Sequence, residues 1–316
     1  MKTCSQQKKI LIIKFGGLGD VVLSLDAMFS IIKHHKALVT LLTEKPFDSF
    51  FERSKWFSEI VTIRRSLLYF KDILQITKEI DCSKFDFVYD LQTSSRTSFY
   101  LKLFNKEKAI TNGIGKHAKI CHNNKDRNNM HTSVRQSDQI SLNNIKLVSS
   151  NEYKWIYNSD YSVPKKKYVM IVPGGSEKRK NKRIPYKIYS ELIKILQNND
   201  YQVLLIGSND DEKICGKLKT DFPEAQNLCK KTNLFELGKL SKFSSLTIGN
   251  DTGPMHLISK GGGETFVFFT KHSNPQLCRP IGSKVSVFTY TGDVKKFFEE
   301  IFSKLKINLC LDSSLT

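Results

Sequence analysis

Short, nearly unbroken apolar runs recur along this chain and alternate with stretches whose apolar residues return every three or four positions. The first pattern predicts strands buried on both faces, the second amphipathic helices. Strands are predicted at Lys9–Phe15, Ala37–Thr43, Ile60–Ile63 and Phe85–Leu91, and helices at Val21–His34, Lys71–Ile80 and Arg96–Phe104. Residues 112–137 are polar, basic and Asn-rich, which predicts a long, partly mobile surface loop. After Ser149 the alternation restarts. Strands are predicted at Tyr168–Val172, Gln202–Ile206, Ser245–Gly249, Thr265–Phe269 and Lys284–Val287. Helices are predicted at Tyr186–Gln197, Asp210–Thr220, Leu234–Ser241 and Val294–Lys306. The alternation defines an α/β chain of two doubly wound domains, residues 1–160 and 161–316, joined by a linker over Asn151–Lys167. In such sheets ligands sit beyond the strand carboxyl ends, so a cleft between facing domains is expected.

Two turns fall at such ends. The first strand runs into Gly16-Gly17-Leu18-Gly19-Asp20, where glycines permit a tight turn and place a carboxylate at the start of a helix. A dinucleotide fingerprint starting at Gly17 would need glycine at position 22, which is Val22, and no Gly-Lys-Ser/Thr follows as a phosphate loop requires. A carboxylate at that position also suits a simple partner of the helix dipole. The second turn is Asn250-Asp251-Thr252-Gly253-Pro254, with Met255 and His256 beyond it. Asp251 or Thr252 suits the N-cap and Pro254 the first helical turn. A helix opening there presents backbone N–H groups to an anion, although an ordinary well-capped turn has the same sequence.

Composition narrows the picture. The chain has 316 residues and a formal charge of +19, an excess that favours polyanions: phosphorylated substrates, nucleic acid or an anionic membrane face. The densest basic cluster is Lys178–Arg183, and no nucleic-acid-binding module is recognisable. No apolar run has the length of a bilayer span, and the polar start at Met1–Lys9 leads straight into a strand, which predicts a cytoplasmic protein without a signal peptide. The seven cysteines are scattered without a C-x-x-C pair, which argues against a disulfide framework or a structural zinc site. His117, Cys121 and His122 lie close together but lack a second ligand pair, so they read as a basic loop and no metal site is expected.

Five motifs in order resemble glycosyltransferase family 9, the ADP-heptose:lipopolysaccharide heptosyltransferases and their relatives. They are Lys14–Asp20, Asp90-Leu91-Gln92, Pro173-Gly174-Gly175-Ser176, Lys182-Arg183-Ile184-Pro185 and Gly249–His256. The resemblance runs from about Ile10 to Ile281 and is weakest across residues 112–165. Lys14 stands where the family usually has arginine. The segments Leu257–Glu264 and Phe269–Pro275 also depart from its pattern, near where the family holds the donor's base and sugar.

The resemblance implies a GT-B architecture, two facing Rossmann-like domains with an interdomain cleft. It also implies an inverting, metal-independent transfer of a sugar, heptose from an ADP-linked donor, to a phosphorylated glycolipid such as a lipopolysaccharide core. No cofactor is implied, and contact with the inner face of an anionic membrane is. By resemblance Asp20 is the base and Lys182 stabilises the departing diphosphate. Gly174, Gly175, Ser176, Asp251, Thr252, Gly253 and His256 bind the donor, with Asp251 either accepting from a ribose hydroxyl or capping the helix. Gly16, Gly17, Gly19 and Gln92 belong to the acceptor side. Competing readings are an NAD-type oxidoreductase with Glu44 as the ribose partner, a basic nucleic-acid-binding protein, and a relative that binds nucleotide sugars without transferring them.

Overall fold

The computed structural model describes residues 7–105, 108–149 and 153–305. The polar start before residue 7, Cys4, Cys310, positions 151 and 152 of the expected linker and the expected helix end at Lys306 lie outside the described residues. The chain divides into two compact units, Met1–Glu152 and Tyr153–Thr316. The short helix Lys154–Tyr157 packs against the helix Leu234–Phe243 and so belongs to the second unit.

The first unit holds a parallel sheet of β1 (Lys9–Ile13), β2 (Leu38–Thr43), β3 (Glu59–Thr62), β4 (Phe87–Asp90), β5 (Ile110–Gly113) and β6 (Ile120–Cys121). Its order is β3-β2-β1-β4-β5-β6. The second unit repeats the plan with β7 (Tyr168–Val172), β8 (Gln202–Leu205), β9 (Gln226–Asn227), β10 (Leu246–Asn250), β11 (Thr265–Thr270) and β12 (Val285–Tyr290). There the order is β12-β11-β10-β7-β8-β9, again parallel. Both are doubly wound Rossmann-like sheets. Their central strands are buried on both faces: Ile10–Ile13 and Tyr168–Val172 contain no exposed residue. The second core is locked by aromatic edges, with Phe268 and Phe297 ring centroids 4.9 Å apart in a T-shaped pair.

In each sheet the chain reverses its winding between two neighbouring strands, β1 and β4 in the first and β7 and β10 in the second. The crevice beyond such a pair is where open α/β sheets bind ligands. The turns after β1 and β4 carry Gly16–Asp20 and Gln92; those after β7 and β10 carry Gly174–Ser176 and Asp251–Gly253. All four motifs therefore sit at switch points.

Two expectations need correction. Residues 112–137 are not a loop: they contain the end of β5, all of β6 and most of the helix Thr132–Ser141. That helix buries polar side chains, Thr132, Ser133, Gln136 and Gln139, beside Ile140, and leaves Val134 exposed, so apolar periodicity could not reveal it. The helix expected over Val21–His34 is two, Leu18–Leu23 and Leu25–His35, with Ser24 between them. At Ser24 the backbone tightens, its N–H donating to the Val21 carbonyl at 3.1 Å, while Ser24 Oγ donates to the Asp20 carbonyl and accepts from Gln136 Nε2, both at 2.7 Å.

Candidate functional site

The second unit builds a braced cradle at the carboxyl ends of β7 and β10. Its hub is Asn250, a buried residue whose amide is fully paired. Asn250 Nδ2 donates to the Pro173 and Gly174 carbonyls, both at 2.8 Å. Its Oδ1 accepts from Ile184 N–H at 3.1 Å and from the Tyr189 hydroxyl at 2.7 Å. One side chain thus fixes the glycine turn, the basic segment and the helix Tyr186–Asn198 together. Asp211 completes the brace, accepting Gly175 N–H at 2.7 Å and Ser208 N–H at 2.8 Å. Gly174 is required by this packing, because a Cβ there would lie 1.8 Å from Asp211 Oδ1. Arg183 donates to the Gly175 carbonyl and to the Asp210 carbonyl. Sequence reasoning missed Asn250 as the hub and Asp211 altogether.

Above this frame sits a charged cluster. Asp251, buried in its side chain, pairs with Lys182 Nζ at 2.8 Å, accepts from Ser273 Oγ at 2.5 Å and faces His256 Nε2 at 3.7 Å. Burial alone would raise the Asp251 pKa, but the His256, Lys182 and Ser273 partners outweigh it and hold it at about 2. Asp251 is therefore an ion-pair partner and not the helix cap. Thr252 occupies the N-cap of the helix Gly253–Lys260, yet its side chain makes no capping bond. Thr252 Oγ1 and His256 Nδ1 are buried and have no hydrogen-bond partner among the described residues. They lie four positions apart, on one side of the helix start. An ammonium offers three donors, so Lys182 keeps two beyond the one given to Asp251. A cavity of about 420 Å³ opens beside it, lined by Arg179, Asn181, Lys182, His272, Ser273, Asn274, Leu277 and Cys278. Much of that wall is the segment that departs from the family pattern. This set of donors suits a phosphate and its ribose.

In the first unit, Gly17 has φ +77° and caps the helix that carries Asp20; a Cβ on it would stand 2.8 Å from Asp20 Oδ2. Gly16 N–H donates to Glu44 Oε1 at 2.8 Å, and Phe15 N–H to Gln92 Oε1 at 3.1 Å. Gln92 is thus a brace of the turn. Gly19 lies in the first turn of the same helix, and Asp20 is exposed. Glu44 also receives Arg65 at 2.7 and 2.5 Å, so the carboxylate that a dinucleotide reading would place on a ribose is engaged by the chain itself.

Around Asp20 the structure gathers charges that the sequence did not single out as a group. Lys14 is buried, and that burial lowers its pKa to about 8 against the support of Asp20 and Asp90. Burial likewise lowers Arg135, with Asp20 its supporting carboxylate, and lowers Arg127. Asp90 is pushed up to about 6 by burial, although Thr93 and Gln92 N–H groups donate to its Oδ1 at 3.0 Å. Asp90 Oδ2 and Arg127 Nη2 have no hydrogen-bond partner among the described residues. His122 accepts from Arg127 Nε at 3.2 Å and meets Asp138 at 2.8 Å, so within the loop after β6 it is a buried structural link. Among the described residues no group of three or more His, Cys, Asp or Glu side chains is arranged to hold a metal ion.

Fold and cradle together define a protein of two Rossmann-like units, one of which carries a braced, donor-rich pocket. Comparison with known proteins gives the family. The profile of glycosyltransferase family 9 (heptosyltransferase) matches residues 73–302, well over half of the chain, and the chain belongs to that family. Lipooligosaccharide heptosyltransferase 2 of Haemophilus influenzae is 30% identical over 118 residues, a match covering 36% of this chain and 34% of that protein. The chain therefore spans about a third of the length of this relative in the match. Among solved structures, a glycosyl transferase family 9 protein from Veillonella parvula covers 97% of this chain and 91% of its own, with a TM-score of 0.74 at 17% identity. The Escherichia coli heptosyltransferase WaaC with ADP covers 92% and 99%, with a TM-score of 0.73 at 16% identity. At such identities these two establish a shared fold.

Proposed function

We propose that this protein transfers a heptose from ADP-heptose to a hydroxyl of a phosphorylated glycolipid of the lipopolysaccharide core type, with inversion at the anomeric carbon. The observation that carries this reading is the Lys182–Asp251–Ser273 cluster beside the unpartnered Thr252 Oγ1 and His256 Nδ1, in a chain of this family. The ADP bound by the Escherichia coli neighbour supports a nucleotide of that kind. In the reaction Asp20 takes the proton of the acceptor hydroxyl, whose oxygen bonds to the anomeric carbon as the bond to the diphosphate oxygen breaks. The electron pair leaves on ADP. Its growing charge falls on Lys182, on the Thr252 and Gly253 N–H groups, and on Ser176; the Gly175 N–H, already given to Asp211, shapes the turn and does not reach the phosphate. These donors do the work of a divalent cation, so transfer proceeds without one.

Asp251 aims Lys182 through their ion pair, a positioning role. The acceptor's anionic groups fall to the basic side chains of the first unit, Lys14, Arg127 and Arg135. No helix among the described residues is long and apolar enough to cross a membrane. The enzyme works in the cytoplasm as a peripheral protein at the inner face of the membrane. A thermal-shift screen against ADP-, UDP-, GDP- and CDP-sugars, followed by transfer assays with chelator, tests the reading. Selective stabilisation by ADP-heptose and chelator-resistant turnover support it. Stabilisation without any turnover favours a relative that only binds nucleotide sugars.

A further inference from the structure

The helix Tyr69–Glu79 turns Asp72 and Ile76 inward, with Ile73 packed on the first core. A solvated helix would carry polar residues on the opposite side. Here that side and the bend before it expose Leu67 at 94%, Leu68 at 50%, Phe70 at 55% and Leu74 at 63%. Phe70 and Leu74 lie four positions apart and share the outward side of the helix, and Leu67 and Leu68 in the bend just before it are exposed as well. Lys71 and Lys78 are exposed on the same helix. Its carboxylates are Asp72, which is buried and paired with Arg96 at 3.1 Å, and Glu79 in the last turn.

The protein holds these apolar residues outward. Asp72 accepts Ser66 N–H at 2.7 Å and the Tyr100 hydroxyl, and Ser66 Oγ accepts Leu68 N–H at 3.2 Å. The Arg96 guanidinium lies 4.6 Å from the Tyr69 ring centroid. The bend is also joined to the turn that carries Asp20, because Arg65 grips Glu44, which holds Gly16 N–H.

We infer that Leu67, Leu68, Phe70 and Leu74, with Lys71 and Lys78, form a docking face for an anionic lipid bilayer. An apolar stripe edged by lysines matches the acyl boundary below a layer of negative headgroups. A second copy is a poorer occupant, since two such faces would bring lysines of one sign together in a protein of charge +19. The inference deepens the glycolipid-acceptor reading and rests on it only for why docking is useful; the binding itself needs no transfer.

The test is co-sedimentation of the full chain with vesicles of phosphatidylethanolamine and phosphatidylglycerol, free of acceptor, against phosphatidylcholine vesicles. The wild type is compared with Leu67→Ser/Phe70→Ser/Leu74→Ser and with Lys71→Glu/Lys78→Glu. All five positions are exposed, and unchanged melting and ADP affinity verify that both variants fold. The expected result is selective binding to the anionic vesicles that falls on the order of tenfold in each variant. Salt weakens the wild type and abolishes binding of the triple serine variant, which has only its charges left. Equal vesicle binding by wild type and both variants overturns the inference. So does a concentration-dependent dimer, seen by light scattering, that the triple variant loses. Because the vesicles carry no acceptor, failure of the transfer reading leaves this result untouched.

Discussion

Asn250 offers a sharp test of how the cradle of the second unit, to which we assign the nucleotide, is held. Replacing it with alanine removes four buried hydrogen bonds, two donated to the Pro173 and Gly174 carbonyls and two accepted from Ile184 N–H and the Tyr189 hydroxyl. At about 1 kcal/mol net for each bond, the loss is about 4 kcal/mol, most of it from the partners left buried and unpaired. For a unit of this size that lowers the melting temperature by about 10 °C. Asn250→Asp separates the two sides of the amide. It keeps the acceptor, loses both donors and sets a carboxylate against two carbonyl oxygens, so it should destabilise at least as much as alanine. Scanning calorimetry reads the transition, and titration with ADP reads the cradle, whose glycine turn loosens without Asn250. If both variants melt within about 2 °C of wild type and bind ADP unchanged, Asn250 is not the hub described here.

Other expectations follow from the same geometry. Lys182→Ala should weaken ADP binding by about 1–3 kcal/mol in calorimetry, the range of a charge-assisted hydrogen bond. Asp251 has its folded pKa lowered from 3.8 to about 2, so its pairing stabilises the fold above pH 4 and is lost as pH falls through 2. The stability gap between wild type and Asp251→Asn, measured by urea unfolding, should therefore shrink by about 2 kcal/mol over that window. Asp90 has the opposite sign. With its folded pKa raised to about 6, its charge opposes folding above that pH. Asp90→Asn should be more stable than wild type at pH 8 by up to about 3 kcal/mol, less the support Asp90 gives Lys14, with the gap closing by pH 4.

Most strands and three of the four switch-point turns are legible because their signals are local; β5, β6 and β9 are not, and the turn after β4 with Gln92 is reached only through the family resemblance. Ile10–Ile13, Val169–Val172 and Phe266–Phe269 are apolar runs, and the turns after β1, β7 and β10 are marked by glycine. What escaped depends on partners far away in sequence. Asn250 and Tyr189 are 61 positions apart, and Asp211 meets Gly175 across 36. The helix Thr132–Ser141 was hidden for another reason: its buried face is made of glutamine, serine and threonine serving the ends of β4 and β5. Arg127 and Arg135 went unnoticed with it. Lys182 was found through its place before Pro185, but its ion pair with Asp251 spans 69 positions and no spacing announces it.

The central claim is that Asp20 removes the acceptor proton while the second unit holds the nucleotide. Asp20→Asn, assayed for heptose transfer from ADP-heptose and titrated with ADP, tests it most directly. The account predicts ADP affinity equal to wild type and turnover reduced by about 10²-fold or more, the scale of a lost general base. Turnover near the wild-type rate would contradict it.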